Sequence, residues 1–164
     1  MNSKIIAFIL LFLLRLGISS IIAMKAAKEL FYKTPLKVVV GATVNREKFG
    51  NKILRCYQEN HYSVVPISKK EAVIEGIDAV ADITTLNSRI QQGIEKRITN
   101  IGEIGCSIVT PPGVTRQILE EGYTAGVRNF YLQPGTYDES VNKYIEESLK
   151  SANVIKGKTA CYFT

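Results

Sequence analysis

Four short stretches hold the residues whose types and spacing could do chemistry. The first is Gly41-Ala42-Thr43, where a β-branched run, Val38 to Val40, ends abruptly. Small residues let the backbone approach a ligand, and the Thr43 hydroxyl can donate to an anion. Asn45 follows, and then a helical pattern. A strand, a tight turn and a helix start aim backbone N–H groups and a positive dipole end at one spot, which suits a phosphate. A small residue kept there only for packing is the plainer alternative. The second stretch is Ser68-Lys69-Lys70, after the apolar run Val64 to Ile67. The third is Thr110-Pro111-Pro112, a rigid loop poor in donors that can wall a ligand. The fourth is Gln133-Pro134-Gly135, with an amide at Gln133 and room for close approach at Gly135.

The second stretch narrows the chemistry. In a dinucleotide fold the equivalent strand commonly ends in an acidic residue that holds ribose hydroxyls. Ser68 to Lys70 offers a hydroxyl and two ammonium groups instead. That suits a phosphorylated ribose, as in NADP or coenzyme A; an exposed basic loop is the other reading. Elsewhere the chemistry is thin. His61 is the one histidine, so a His-rich metal site is excluded, and no metal is expected. Cys56, Cys106 and Cys161 are odd in number and far apart, neither a disulfide framework nor a zinc spacing. They suit a reducing compartment. No residue at the turn is an evident general base or nucleophile.

These stretches need elements to position them. Lys37 to Ala42 reads as a buried strand. Phe49, Ile53, Leu54 and Tyr57 recur at helical spacing between Arg46 and Glu59, with Asn45 as cap. Ser63 to Ile67 is a second strand, which completes a βαβ unit. Ala26 to Tyr32 is a short helix ahead of Pro35, and Gly76 sits within a short extra strand. Leu86, Ile90, Ile94 and Ile98 predict a helix over Asn87 to Asn100, followed by a loop from Ile101 to Gly105. Cys106 to Val109 is a central strand. The helix after Pro112 faces inward with Val114, Ile118 and Leu119 and stops at Gly126. Asn129 to Leu132 is a strand. Thr136 and Glu139 have capping-box spacing for a last helix, and Asn153 to Ile155 is a final strand. Alternating strands and helices, with strands apolar throughout, predict a three-layer α/β domain with a mostly parallel sheet, Rossmann-like. In such a sheet ligands bind beyond the carboxyl ends of the strands, where all four stretches fall.

The totals permit this. The chain has 164 residues, a net charge of +6, 46% hydrophobic and 22% charged residues. That is one domain plus an appendage. The basic residues are scattered, without an aromatic-interleaved run, which argues against nucleic acid. Residues 1 to 23 form the appendage: Ile5 to Leu14 is apolar without a break, Arg15 interrupts, and the apolar character resumes to Ala23. A signal peptide, a marginal membrane anchor, an organelle-targeting leader and a true start at Met24 are all open. The separated cysteines favour an intracellular home, cytoplasmic or organellar. A secretory or membrane-anchored protein follows if the leader is a working signal or anchor. Residues 24 to 164 are then the folded domain.

From about Glu29 to Cys161 the chain resembles the CoA-binding domain family, the Rossmann-like module of succinyl-CoA synthetase alpha subunits that also occurs as small stand-alone proteins. The marks are Val39-Val40-Gly41-Ala42-Thr43, Glu47-Lys48-Phe49-Gly50, Val64-Val65-Pro66-Ile67, Ile74-Glu75-Gly76, Ile108 to Pro112, Leu132 to Gly135 and Cys161. The resemblance is to the stand-alone kind. One departure is Pro66-Ile67-Ser68-Lys69, where the family commonly has Pro-Val-Asn-Pro.

The resemblance implies that coenzyme A or an acyl-CoA lies across the strand ends. Its phosphates would meet Gly41, Ala42 and Thr43 and the helix opening at Asn45, Lys48 and Phe49. Its 3′-phosphate end would lie near Ser68, Lys69 and Lys70. Thr110, Pro111 and Pro112 would flank it, with Gln133 and Gly135 beyond. A non-catalytic binding or regulatory module is the leading expectation. The synthetase reaction needs a phosphorylated histidine, and His61 precedes the second strand, away from the strand ends. An NADP-binding oxidoreductase-like protein and a membrane-anchored interaction domain are the alternatives, and Cys161 could pair with the ligand thiol. The membrane would enter only through residues 1 to 23, and the oligomeric state is open.

Overall fold

Five parallel strands form the central sheet in the computed structural model, which describes residues 21–157. A helix at residues 21–33 (α1) leads into β1 (Leu36–Val40), α2 (Phe49–Glu59) and β2 (Val64–Ile67). A small antiparallel hairpin, β3 (Val73–Ile74) and β4 (Ile77–Asp78), precedes α3 (Ile83–Gln91). Then come β5 (Ile104–Ile108), α4 (Pro112–Ala125), β6 (Asn129–Leu132), α5 (Glu139–Ser148) and β7 (Asn153–Lys156). The sheet order is β2-β1-β5-β6-β7, and every neighbouring pair is parallel. This is the α/β, Rossmann-like architecture that the alternating pattern predicts.

The strands are buried on both faces, which is why β2 reads as an unbroken apolar run and β1 as one interrupted by the buried Lys37. Side chains alternate across the sheet. Val38, Val40, Ile67, Cys106 and Ile108 share a core with Leu86, Leu119 and Val141 from α3, α4 and α5. Val39, Val64 and Tyr131 share another with Phe31 from α1 and Ile53, Leu54 and Tyr57 from α2. The chain therefore turns to opposite faces after β1 and β5, which are adjacent. That pair is the topological switch point.

Several local expectations shift. α3 starts earlier than Asn87 because the Asp82 side chain accepts from Thr85 N at 2.7 Å, and it stops before Gly93, at φ +69°. Ile98 still reaches the core, whereas Ile94 is exposed. β5 begins at Ile104 rather than Cys106, preceded by a 3₁₀ turn at Ile101–Glu103. The α5 cap is Asp138, which accepts from Val141 N at 3.0 Å. Thr136 instead donates to the Gln133 carbonyl at 2.7 Å. Val114 is exposed rather than inward, while Leu119 is buried. The strand expected around Gly76 is the hairpin, with Glu75 and Gly76 both at positive φ in its turn.

Cys56 on α2 is disulfide-bonded, against the expectation of unpaired cysteines. Cys106 is free and buried, and burial pushes its thiol up to about 12. Cys161 and residues 1–20 lie outside the described residues. Among the described residues no helix is long and apolar enough to cross a membrane.

Candidate functional site

The turn after β1 is built by two close approaches that only glycine allows. Gly41 has φ +90°, and a Cβ there would come within 2.9 Å of the Val109 carbonyl oxygen on the neighbouring strand end. A Cβ on Gly50 would lie 2.1 Å from the Gly41 carbonyl oxygen. The first turn of α2 is thereby pressed against the strand end. Asn45 does not cap α2; the helix begins after Lys48, which makes no side-chain cap. Asn45 shapes the turn before it, accepting from Glu47 N at 3.0 Å through Oδ1 and from Lys48 N at 3.1 Å through its carbonyl.

Asn51 fixes the turn from below. Its fully buried amide donates to the Thr43 carbonyl at 2.8 Å and to Glu75 Oε1 at 2.9 Å, while Arg55 Nε donates to its oxygen at 2.9 Å. Glu75 also meets Arg46 Nε at 3.2 Å. The hairpin, α2 and the turn are thus one hydrogen-bonded unit, although they lie far apart in sequence.

A cleft of ≈ 930 Å³ opens over this turn, between the N-termini of α2 and α4 at the β1/β5 switch point. It gathers Gly41, Ala42, Thr43, Lys48, Phe49, Ser68, Lys69, Lys70, Thr110, Pro111, Pro112 and Gly135 into one wall. Of the residues singled out from sequence, Asn45 and Gln133 are not among its walls. Gln133 is buried beneath it, at 1% exposure. The Thr110 hydroxyl turns toward α4, 2.9 Å from the buried Thr115 hydroxyl.

The walls are chemically sorted. Ser68, Lys69, Lys70 and Glu71 come from the β2 end, the turn from the β1 end, and Pro111, Pro112, Val114 and Ile118 from the β5 end and α4. Phe49 and Val114 are 57% and 45% exposed, apolar surface on both helix starts facing the cleft.

Three carboxylates in the cleft wall, Glu71, Asp82 and Glu121, escaped sequence reasoning. Glu71 accepts from the Ser68 hydroxyl and, at 3.1 Å, from the Thr43 hydroxyl. Those hydroxyls, with the Val44 N–H and nearby Lys70, hold its carboxyl below the usual range. An acidic group therefore does stand beside the β2 end, three residues past Ser68. The Ser-x-x-Glu spacing was the available signal. Asp82, the α3 cap, is also lowered, chiefly by its hydrogen bond from Thr85. His61 sits exposed in the turn before β2 at φ 60°, away from the strand ends.

Fold and cleft together define a Rossmann-like α/β protein with a cleft at the switch point. Within that class the chain belongs to the CoA binding domain family, whose model matches residues 37–163. Solved structures share the fold at low identity. A conserved hypothetical protein from Pyrococcus furiosus superposes with TM-score 0.61 at 23% identity, over 79% of this chain and 97% of that one. A hypothetical protein from Pyrococcus horikoshii OT3 gives 0.65 at 16% identity, over 84% and 87%. A Thermus thermophilus protein gives 0.64 at 16%, over 84% and 93%. No curated protein matches the chain.

Proposed function

We propose that the chain binds coenzyme A or an acyl-CoA across the strand ends, as a non-catalytic binding or regulatory module. The observation that carries this is the sorted wall of the cleft. Adjacent strand ends are about 4.8 Å apart, so β2 to β6 spans about 14 Å. Along that line come ammonium groups and hydroxyls, then the glycine turn under a helix start, then an apolar wall. Coenzyme A has the same order: a phosphorylated nucleoside, a diphosphate and an uncharged pantetheine arm. Family membership supports the assignment. Gly41, Ala42, Thr43, Lys48 and Phe49 are proposed at the diphosphate and Ser68, Lys69 and Lys70 at the 3′-phosphate. Thr110, Pro111, Pro112 and Gly135 are proposed along the arm, with Asn45 and Gln133 as supports beneath. The proposed unit is residues 24–164, with 1–23 as a leader.

Two of the three cleft carboxylates support the non-catalytic reading. Glu71 and Asp82 are held below the ordinary range by hydrogen bonds, which makes them weak bases at neutral pH.

The test is thermal unfolding of the full chain with coenzyme A, dephospho-coenzyme A, NADP and NAD. A ligand at 100 times its dissociation constant stabilises by about 2.7 kcal/mol. For a domain of this size that is a rise of about 8 °C. A rise with coenzyme A that exceeds the rise with dephospho-coenzyme A is expected. A response to NADP with none to coenzyme A would overturn the assignment in favour of an oxidoreductase-like protein.

A further inference from the structure

Both hydroxyls at the anion-facing side of the cleft are already committed. A threonine or serine hydroxyl has one hydrogen to donate. Thr43 gives its hydrogen to Glu71 at 3.1 Å, and Ser68 gives its hydrogen to the other oxygen of the same carboxylate. The Val44 N–H, the next donor along the turn, also goes to Glu71. One carboxylate thus takes the hydroxyls of two strand ends and a backbone N–H. It occupies the turn as a bound anion would. Lys69 and Lys70 stay exposed beside it.

We infer that Glu71 is an internal competitor for the ligand's phosphate: its carboxylate fills the Thr43, Val44 and Ser68 donors in the free protein and must swing away when a diphosphate enters. The argument is one of stoichiometry and charge. A phosphate oxygen cannot accept from Thr43 while Glu71 does, because there is one hydrogen for two acceptors. Nor can both anions stay against the same donors, because like charges at contact distance repel. Glu71 can leave readily: it lies on the loop after β2, and its side chain is partly exposed. The residue therefore sets the affinity of the turn for phosphate. It weakens every ligand that places a phosphate at Gly41 to Thr43, and more so the more tightly it is held itself.

This inference rests on the anion-binding reading of the turn, and the experiment keeps the two apart. Dissociation constants for coenzyme A and for inorganic pyrophosphate are measured by calorimetry on the full chain. The proteins are wild type, Glu71→Gln, Glu71→Ala, Thr43→Val and the double variant Glu71→Ala/Thr43→Val. Removing the carboxylate is expected to tighten both probes about three- to tenfold, the size of one or two net hydrogen bonds. Thr43→Val removes a donor proposed at the diphosphate and should weaken wild-type binding, in part offset because it also loosens Glu71. It should cost several-fold more in the Glu71→Ala background, a coupling the double-mutant cycle reads directly. Weaker binding in Glu71→Gln would mean that the carboxylate itself holds the ligand, and unchanged binding that it is never displaced. Either result overturns the inference. Glu71→Gln keeps the side-chain length and an acceptor oxygen, so it decides the matter if Glu71→Ala does not fold. Absence of any wild-type response to coenzyme A would sink the proposed ligand alone, since the pyrophosphate series still tests Glu71.

Discussion

Gly50→Ala tests the geometry of the turn most directly. The ideal Cβ at Gly50 falls 2.1 Å from the Gly41 carbonyl oxygen, 3.0 Å from its carbon and 3.2 Å from Ala42 Cα. All three obstacles are backbone atoms, so no side chain can rotate out of the way. A carbon and an oxygen settle at about 3.2 Å or more, so strand end and helix must part by about 1 Å. Overpacking of this kind costs about 1–3 kcal/mol, and a backbone obstacle belongs at the upper end. Against it stands the better helix propensity of alanine, at most about 1 kcal/mol. The net loss is about 1–2 kcal/mol, or a drop of about 3–6 °C at this chain size. Coenzyme A should also bind about tenfold more weakly, because the helix start and the turn no longer converge on one point. Gly113→Ala is the matched control. Gly113 lies in the first turn of α4 with nothing within 4 Å of its ideal Cβ and no positive φ, so the same change there should be neutral or stabilising. Differential scanning calorimetry reads the melting temperatures and titration calorimetry reads the affinities. A Gly50→Ala protein that melts at or above the wild-type temperature and binds normally would refute the close approach.

Two further perturbations probe the supports of the sheet. Asn51→Leu keeps the branched outline, though it is bulkier, and strips donors from the Thr43 carbonyl and Glu75 and an acceptor from Arg55, so a loss of about 1–3 kcal/mol and weaker coenzyme A binding are expected; urea unfolding that matches wild type would show the network to be idle. Lys37 is fully buried at the foot of β1, where its ammonium donates to the Tyr32 and Thr34 carbonyls and the Thr34 hydroxyl and lies 4.8 Å from the Tyr62 ring centroid. Burial pushes it down to about 8 from 10.5, so the unfolded chain binds more protons between those values. Its charging cost is full below pH 8 and fades as pH rises toward 10.5. Wild type should therefore gain about 1–3 kcal/mol on Lys37→Met between pH 7 and 10, allowing for screening. The comparison stops at pH 10, because Tyr32 and Tyr57 are raised by burial and oppose folding once unfolded tyrosines ionise. A stability gap that stays constant across that range would contradict a depressed lysine.

What the sequence shows of this protein divides along the range of the interactions involved. The strands and their order of alternation are local: Val38 to Val40 is buried on both faces, and the hydrophobic run says so. The four strand-end stretches follow from that, because the carboxyl ends of parallel strands lie on one edge. Helix limits depend on side chains that outbid the periodicity. Asp82 starts α3 early, and the residues from Gly93 onward follow no helix although Ile98 keeps its four-residue spacing to the core. Asn51 and Glu75 are 24 positions apart, and neither carries a sign of the other.

Glu71 is the instructive case. Lys69 and Lys70 are next to the strand end in sequence and attract attention as cations, yet the loop curls through the Ser68 hydroxyl, which accepts from the backbone of both Lys70 and Glu71. That curl brings the first acidic side chain back to the strand end that appeared to lack one. The absence of an acid was therefore a weak reason to prefer a phosphorylated ribose. What the loop shows instead is a cluster of donors that already holds an anion of its own. On the inference drawn for Glu71, the two hydroxyls and the backbone N–H that solvate its carboxylate are the donors a phosphate would take once that carboxylate moves.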